Sequence, residues 1–447
     1  MQPVIPPKSL PVETERTMDL LHPVSNQRRW SIVGLLLVAS IINYFDRATI
    51  SMALPVISKE LHLDPATKGV LLSAFFWSYA LMQIPVGWCA DRFNLRWLYA
   101  GAFALWSVAQ GVIGMAQGLT ALICCRVLLG FGESIYLPGG SKIVSLLFNR
   151  AERGLPSGLF DSGTRTGLVL EGLMVPWMLN HFGWRMTFMV VGFSALLWLI
   201  PWFLVTPSKL QGQPRAATEP IDPEFALPSQ LGRAVVGQGS RIRGPGSRGV
   251  LALLRNRNLI GICLGFFCFD YYWYLLLTWL PNYLVEVRHF SIMQAGIGAA
   301  LPFLVFGVSE PIGGWIADRL IRAGWNETRT RKGIVTIAFL TGALLIPAGR
   351  VADPMAAVAL LTGACLVGLS TGNLLVILQS CAPSRDIGLW TGIYNFVGNV
   401  AGILAPIITG LLIQKTGSYS SAFILAAVLL ATGSLFYWFV VGELKET

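Results

Sequence analysis

Two adjacent residues of opposite charge, Asp46 and Arg47, lie inside an apolar stretch that covers residues 30–57. A charged residue at the centre of a lipid-facing helix costs roughly 2.5 to 3.5 kcal/mol, so this pair predicts a polar interior, a wet cavity or a substrate. Arg126 and Glu133 lie seven residues apart in another apolar stretch, and two helical turns put both side chains on one face. A guanidinium can hold a carboxylate through two parallel hydrogen bonds, and a carboxyl group shielded from water keeps its proton more tightly. These four residues therefore predict a buried site for an organic anion and for protons.

The composition predicts that these residues lie in membrane-spanning helices. Of the 447 residues, 54% are hydrophobic and 13% are charged, and the mean hydropathy is +0.61. An α-helix crosses a bilayer core of about 30 Å with about 20 apolar residues. The apolar stretches here are too long for barrel strands and lack two-residue alternation. We therefore expect an all-α membrane protein with twelve transmembrane helices, near residues 30–57, 69–90, 97–117, 120–147, 154–180, 184–206, 257–284, 293–318, 333–352, 354–382, 386–414 and 419–442.

The net charge of +10 is concentrated in alternate loops. Basic residues cluster before the first stretch, after every second stretch and, most densely, between Arg215 and Arg257. Cytoplasmic loops carry such an excess of lysine and arginine, so we place both termini in the cytoplasm. This loop distribution favours the lipid bilayer, and not nucleic acid, as the partner of the basic charge.

The chain divides into two similar halves around a polar segment. Residues 207–256 are rich in Pro, Gly, Ser and Arg, which is typical of a flexible linker, here cytoplasmic. Six apolar stretches precede it and six follow, so we predict bundles over residues 30–206 and 257–442, with cytoplasmic tails over 1–29 and 443–447. Two bundles that rock about a midplane site expose that site to either side of the membrane in turn.

A short motif occurs at the end of the second stretch and again at the end of the eighth. In both copies a glycine is followed, after three residues, by Asp-Arg. The pattern resembles the cytoplasmic loop signature of the major facilitator superfamily, which implies the major facilitator fold. Small glycines allow close helix approach, and the charges can form contacts between the bundles in one state. We predict a gate that comprises Gly87, Asp91, Arg92, Gly314, Asp318 and Arg319.

Within that superfamily, four stretches resemble the anion:cation symporter family, and the D-galactonate and sugar-acid transporters of bacteria in particular. They are residues 43–47 (NYFDR), 73–79 (SAFFWSY), 126–133 (RVLLGFGE) and 277–284 (LTWLPNYL). The resemblance implies that Asp46 and Glu133 carry protons, that Arg47 binds the substrate carboxylate and that Arg126 couples the two. It also implies a bacterial inner membrane.

Further residues are candidates for contact with substrate. Tyr44 and Tyr79 offer hydroxyls to substrate oxygens and ring faces to a carbon backbone. Asn395 matches a family position implicated in sugar-acid binding. We interpret Asn399 and Gln379 as helix contacts.

The fifth and seventh stretches depart from the galactonate-type pattern. Thr164 stands where the family has a polar amide, and Asp161 and Arg165 are additional charges. If Arg165 faces the cavity, a second cation favours a dicarboxylate or an aromatic acid; alternatively, Asp161 and Arg165 pair with each other on one helix face. We predict that Thr164, Arg165 and Asp270 line the substrate site, and the role of Glu171 stays open.

The sequence thus predicts proton-coupled import of a small organic anion, namely an aldonate, a hexuronate or a related carboxylate. The alternatives are an efflux antiporter for organic acids or drugs, and a transporter-like sensor. Asp46 with Arg126, or Arg47 with Glu133, could instead be structural ion pairs, and we interpret Glu310 as structural. With no Walker-type phosphate loop and only four histidines, an enzyme, a metal site or a cofactor is not expected. We expect a functional monomer whose partners are the anion, protons and the bilayer.

Overall fold

The computed structural model describes residues 25–148, 152, 154–210, 255–382 and 387–444. The secondary structure of these residues is helical, with no strand among them. Most of the predicted linker and both predicted tails lie outside the described residues, namely 1–24, 211–254 and 445–447. The predicted domain boundaries at these segments therefore stay predictions.

Within the described residues, twelve helices, here α1 to α12, form two halves of six. In the N-terminal half, α1 is Asn26–Glu60, α2 is Pro65–Arg92, α3 is Leu95–Ile113, and α4 is Leu119–Glu133 continued by Tyr136–Leu147; α5 and α6 are the parts of Gly154–Ala195 before and after Gly183, and α6 continues through Leu196–Trp198 and Leu199–Val205. In the C-terminal half, α7 is Arg257–Glu286, α8 is Ile292–Arg322, α9 is Glu327–Thr341 with Gly342–Leu344 and Leu345–Ala348, α10 is Pro354–Ala364 with Cys365–Ser370 and Thr371–Cys381, α11 is Ile387–Thr416, and α12 is Ser420–Leu435 with Phe436–Val440.

The prediction of twelve membrane helices is confirmed. Among the described residues, ten continuous helical stretches are long and apolar enough to cross a bilayer. One of them, Leu155–Val205, has 51 residues, and it divides at Gly183, where φ is 73° and ψ is 167°. That backbone conformation suits glycine because it has no Cβ. Leu95–Ile113, with 19 residues, is the remaining helix.

Consecutive helices run in opposite directions, so the molecule has two faces. The terminal face is the one where α1 begins and α12 ends, and the opposite face is the one where α1 ends and α2 begins. The two halves meet mainly where α2 packs on α11 and where α5 packs on α8. These two contacts are called here the seams between the halves.

Both seams are tightly closed near the opposite face. A β-carbon on Gly69 of α2 would lie 2.5 Å from the carbonyl oxygen of Pro406 on α11. One on Gly296 of α8 would lie 2.1 Å from the carbonyl oxygen of Gly172 on α5. Such close approach of helix backbones in a membrane requires residues without bulky side chains.

Near the terminal face the halves are farther apart. A β-carbon on Gly87 of α2 or on Gly314 of α8 would meet no atom within 4 Å. A cavity of about 610 Å³ lies between α5 and α8, lined by residues that include Gly158 and Pro311. The side chains of Lys68 and Glu286, by contrast, form an ion pair between the halves near the opposite face. The two halves are therefore in closer contact at the opposite face than at the terminal face.

We expect Gly296→Ala to prevent complete closure of the α5–α8 seam, because its β-carbon would overlap the Gly172 carbonyl. Ser73 is a fully buried position on α2, so the rate at which a thiol reagent labels Ser73→Cys reports opening of the halves at the opposite face. If Gly296→Ala lowers the free energy of that opening by about 1.4 kcal/mol, labelling should be about tenfold faster. Gly101→Ala is the control, since its β-carbon meets no atom within 4 Å. Equal labelling in both backgrounds would contradict the role assigned to this contact.

Candidate functional site

Arg47 and Glu133 form an ion pair inside the N-terminal half. Nη2 of Arg47 donates to Oε2 of Glu133 at 3.0 Å, and Nε donates to the same oxygen at 3.3 Å. The two residues are 4% and 0% exposed. Nη2 also donates to Oδ1 of Asn43, one turn earlier on α1, at 3.3 Å. The Glu133 carboxylate thus occupies guanidinium donors that could otherwise bind a ligand carboxylate.

Three aromatic rings surround the Arg47 guanidinium. Its central carbon lies 4.7 Å from the ring centre of Tyr44, 4.6 Å from that of Phe75 and 4.7 Å from that of Tyr79. The rings of Phe75 and Tyr79 stack on each other at 5.2 Å. A planar guanidinium packs against such ring faces and keeps its edge free for hydrogen bonds, which an ammonium group does not do.

Asp46 and Arg126 are buried beside this pair but do not bond to each other. Neither carboxylate oxygen of Asp46 has a hydrogen-bond partner among the described residues, and neither do Nε and Nη1 of Arg126. Asp46 is 0% exposed and Arg126 is 2% exposed. The Arg126 guanidinium lies 5.1 Å from the ring centre of Phe75. Of the two structural ion pairs considered from the sequence, only Arg47 with Glu133 is formed here.

A cavity of about 180 Å³ lies between the two halves next to Arg47. Both halves contribute to its wall, and six of the predicted residues line it, namely Tyr44, Arg47, Tyr79, Arg165, Asp270 and Asn395. The structure thus brings together residues from α1, α2, α5, α7 and α11. Burial of a small ligand between two movable halves is the arrangement that alternating access requires.

Arg165 forms a two-bond ion pair with Glu310 across the α5–α8 seam. Nε donates to Oε2 of Glu310 at 2.9 Å, and Nη2 donates to Oε1 at 2.6 Å. The guanidinium also lies 5.1 Å from the ring centre of Trp273 and 4.9 Å from that of Phe306. Glu310 is therefore the partner of Arg165 and joins the two halves, a role that its sequence position did not indicate.

Thr164 and Glu171 of α5 lie apart from the central cavity wall. The Thr164 hydroxyl donates to the backbone oxygen of Asp161 at 2.7 Å and is buried. Thr164 does not appear among the residues that line the 180 Å³ cavity, so this conformation does not bring it to the predicted site. Oε1 of Glu171 is buried without a hydrogen-bond partner in the described structure, next to the seam residue Gly172.

Asn395 and Asn399 of α11 both line the cavity. Nδ2 of Asn399 donates to the backbone oxygen of Asn395 at 2.8 Å, and the Tyr274 hydroxyl donates to Oδ1 of Asn399 at 3.4 Å. The Asn399 amide is thus engaged in contacts within α11 and with α7. The substrate role of Asn395 stays a prediction.

The model of the Major Facilitator Superfamily matches residues 36–406 and also residues 299–446. The chain belongs to the Major Facilitator Superfamily. It is similar to a probable galactarate/D-glucarate transporter of Bacillus subtilis, with 31% identity over 428 residues that cover 94% of this chain and 93% of the relative. It is also 31% identical to the D-galactonate transporter of Escherichia coli O6:H1, over 94% of this chain and 97% of that protein.

Solved structures of low sequence identity share the major facilitator fold of this chain. A bacterial homologue of the human lysosomal transporter Spinster, in an inward-facing and unoccupied conformation, aligns with a TM-score of 0.73 at 18% identity. The alignment covers 93% of this chain and 98% of that one. A D-xylose-proton symporter aligns with a TM-score of 0.69 at 15% identity, over 93% and 98% of the two chains.

The repeated motif of this superfamily member has the same local structure in both halves. The Arg92 guanidinium lies 4.0 Å from the ring centre of Trp88, and that of Arg319 lies 5.4 Å from the ring centre of Trp315. In each copy the arginine packs on a tryptophan four residues earlier, where a helix places it on the same face. The duplication inferred from the sequence thus extends to side-chain packing.

The contacts of Asp318 lie within the C-terminal half. Its Oδ1 accepts a hydrogen bond from Nη2 of Arg331 at 3.1 Å, and Nη1 of Arg331 donates to Oδ1 of Asn373 at 3.2 Å. The side chain of Asp91 lies outside the described part of the structure. A gate between the halves at this motif therefore stays a prediction about another conformation.

Sequence reasoning missed the aromatic wall that the C-terminal half gives to the central cavity. Phe266, Phe269, Trp273 and Tyr274 of α7 line it, together with Phe306 of α8. The α7 rings lie four residues before, one before, three after and four after Asp270, respectively. Apart from Phe269, this is the spacing of one helix face, and it was available as a signal in the sequence.

Proposed function

We propose that the protein is a proton-coupled symporter that imports a small organic anion by alternating access. The observation that carries the proposal is the ion pair of Arg47 with Glu133, buried beside a cavity between two movable halves. The relatives' names, galactarate/D-glucarate and D-galactonate, support a sugar acid, and we propose an aldonate, a hexuronate or a related carboxylate. We place the protein in a bacterial inner membrane as a monomer, with its terminal face in the cytoplasm.

Competition for one guanidinium would couple protons to substrate. While Glu133 is ionised, its carboxylate holds the edge of Arg47. A proton on Glu133 removes that charge and frees the donors for a substrate carboxylate, which can take both parallel hydrogen bonds. Protonation of Glu133 therefore precedes tight binding of the anion, and loss of the anion favours loss of the proton.

Asp46 and Arg126 give this exchange a second carboxyl group and a fixed cation. Asp46 lies within electrostatic range of both Glu133 and Arg126. A buried carboxylate without a hydrogen-bond partner is costly, so a change of charge on Glu133 alters the stability of charge on Asp46. We propose that Asp46 and Glu133 take up and release the protons. We propose that the Arg126 guanidinium couples the two groups, because its charge stabilises the ionised form of either carboxyl group.

The direction of import follows from coupling to protons that enter the cell. The halves are in closer contact at the opposite face than at the terminal face, so in the proposed orientation this conformation would exchange substrate with the cytoplasm. Entry of a monoanion with two protons moves one net positive charge inward. The membrane potential then contributes about 2.3 kcal/mol per 100 mV to uptake.

Proteoliposomes test the proposal. An inward proton gradient of about two pH units should drive uptake of D-galactonate, D-glucarate or D-glucuronate by up to about 100-fold for each coupled proton. Protein-free liposomes are the control, and each substrate addition without a gradient should alkalinise the external medium. Acidification would instead indicate an antiporter, and binding without counterflow would indicate a sensor; either result would reject import by symport.

A further inference from the structure

Asp270 is a buried carboxyl group on the wall of the central cavity. It belongs to α7 and is 7% exposed, and it lines the cavity together with Arg47. Among the described residues, Asp270 has no ion-pair partner within 4 Å and no hydrogen-bond partner. The nearby polar side chains bond elsewhere: Arg47 pairs with Glu133, Arg165 pairs with Glu310, and Tyr274 bonds to Asn399. Its Oδ2 packs so close to α11 that a β-carbon on Gly398 would lie 2.1 Å away. The carboxyl group therefore lies against α11 without a counterion from the described residues.

The other charges on the cavity wall are neutralised in pairs. Arg47 is bonded to Glu133, and Arg165 is bonded to Glu310 through two hydrogen bonds. Arg165 is the cation whose field reaches Asp270, but Glu310 already holds its edge. Among the described residues that line the cavity, Asp270 is thus the acidic or basic side chain without an ion-pair partner.

Aromatic rings flank Asp270 along α7. Phe266 lies one turn before it, and Trp273 and Tyr274 lie one turn after it; all three line the same cavity. The Phe266 ring and the Asp270 carboxyl group lie side by side against Gly398 of α11. A β-carbon built on Gly398 would be 2.5 Å from the ring and 2.1 Å from Oδ2 of Asp270. Ring faces attract cations and repel anions. A carboxylate next to ring faces is a site for an ammonium group.

The two walls of the cavity consequently offer different contacts once Glu133 is protonated. The α1 wall then presents the free Arg47 guanidinium, and the α7 wall presents the Asp270 carboxyl group, whose ionised form a bound ammonium would stabilise. A ligand with only a carboxylate would use the first wall and gain no charge contact from the second. A ligand with a carboxylate at one end and an ammonium at the other would match both.

We propose that the substrate is a zwitterionic amino carboxylate, whose ammonium group binds Asp270 beside the rings of Trp273 and Tyr274. The inference rests on the proposed function for its anionic end, since Arg47 must bind the carboxylate. It differs from that proposal in the chemistry of the other end, where the relatives' names indicate a hydroxyl group, as in D-galactonate, or a second carboxylate, as in galactarate and D-glucarate.

Matched ligand pairs test this inference. The first pair is 6-amino-6-deoxy-D-gluconate and D-gluconate, and the second is 4-(aminomethyl)benzoate and 4-(hydroxymethyl)benzoate. In each pair an ammonium replaces a hydroxyl at the same position. With the purified wild-type protein we expect at least one amino member to bind about 10- to 100-fold more tightly than its hydroxy partner, as a charge-assisted contact allows.

Asp270→Asn removes the charge and keeps the shape of the side chain. It should abolish or reverse the preference for the amino member, while the hydroxy member binds as tightly as before or more tightly. Asp353→Asn is the control, because Asp353 caps α10 at an exposed position and Asn is an equally good N-cap. Retained hydroxy-acid binding by Asp270→Asn shows that the variant is folded.

The outcomes separate this inference from the proposed function. If both members of each pair bind equally and Arg47→Lys abolishes both, carboxylate recognition stands and the ammonium site is rejected. Tighter binding of the hydroxy members by the wild type would also reject it, and would indicate a protonated Asp270 that hydrogen-bonds a hydroxyl. If no carboxylate binds, the proposed function and this inference fall together.

Discussion

Arg47→Lys is expected to raise the dissociation constant of every carboxylate substrate by about 100-fold or more. Two charge-assisted hydrogen bonds to one carboxylate are worth about 3 kcal/mol or more together. Lysine keeps the charge but cannot present two parallel donors, and it loses the planar packing on Tyr44, Phe75 and Tyr79. Binding should therefore fail although the formal charge of the site is unchanged.

Isothermal titration of purified wild-type and variant protein measures this effect. Arg322→Lys is the matched control, because Arg322 is exposed at the end of α8 and should leave binding unchanged. The double variant Arg47→Lys with Glu133→Gln removes the paired carboxylate and tests whether an altered ion pair alone explains the loss. Wild-type affinity in Arg47→Lys would show that Arg47 only stabilises helix packing through Glu133.

The fold was predictable because each helix here satisfies its backbone hydrogen bonds internally and must span one bilayer. Apolar length alone therefore locates the helices, and the superfamily membership confirms the fold that the duplicated motif implied. The boundaries were less accurate, since α1 extends to Glu60 and α8 to Arg322. Polar residues at helix ends project beyond the apolar core and leave no signal in hydropathy.

The N-terminal side of the candidate site was also predictable, because charges in apolar stretches are too costly to lie in lipid. Arg47 with Glu133 illustrates this, since both are buried and in contact. The partner of Arg165 was not predictable. Helical spacing suggested Asp161, one turn away, but Glu310 on α8 pairs with it. Contacts between residues 145 positions apart depend on how the two halves dock, which one sequence does not encode as a periodicity.

Asp270 had a sequence signal whose meaning depended on three-dimensional placement. The aromatic residues around it in the chain are equally compatible with a buried helix core. Tyr272 shows this, since its hydroxyl donates to the Ala364 backbone oxygen inside the C-terminal half. Trp273, the next residue, instead lines the central cavity. Adjacent residues on a helix point in directions about 100° apart, so only the packing of α7 distinguishes core rings from ligand-facing rings.

Glu133→Gln is expected to separate exchange from accumulation. Glutamine keeps the size and a hydrogen-bonding oxygen of the side chain, but it cannot take up or release a proton. Exchange of labelled for unlabelled substrate needs no net proton movement, so counterflow should persist. Because Arg47 is no longer held by a carboxylate, its affinity for substrate should not fall.

Accumulation driven by a proton gradient should decline sharply in the same variant. Each coupled proton contributes about a tenfold concentration ratio per pH unit, which corresponds to 1.36 kcal/mol. With a gradient of about two pH units, loss of one coupled proton lowers the accumulation ratio about 100-fold. The paired measurements are counterflow and gradient-driven uptake in proteoliposomes prepared from one batch of protein.

Glu60→Gln is the matched control for this prediction, because Glu60 ends α1 away from the cavity and pairs with Arg185 on the exposed surface. It should accumulate substrate as the wild type does. A Glu133→Gln variant that still concentrates substrate would remove Glu133 from proton coupling and leave Asp46 to carry it alone. A variant that loses counterflow as well as accumulation would show that the ionised pair with Arg47 is needed for the transport cycle itself. Either result would contradict the proposed coupling step, in which Glu133 and the substrate compete for the Arg47 guanidinium.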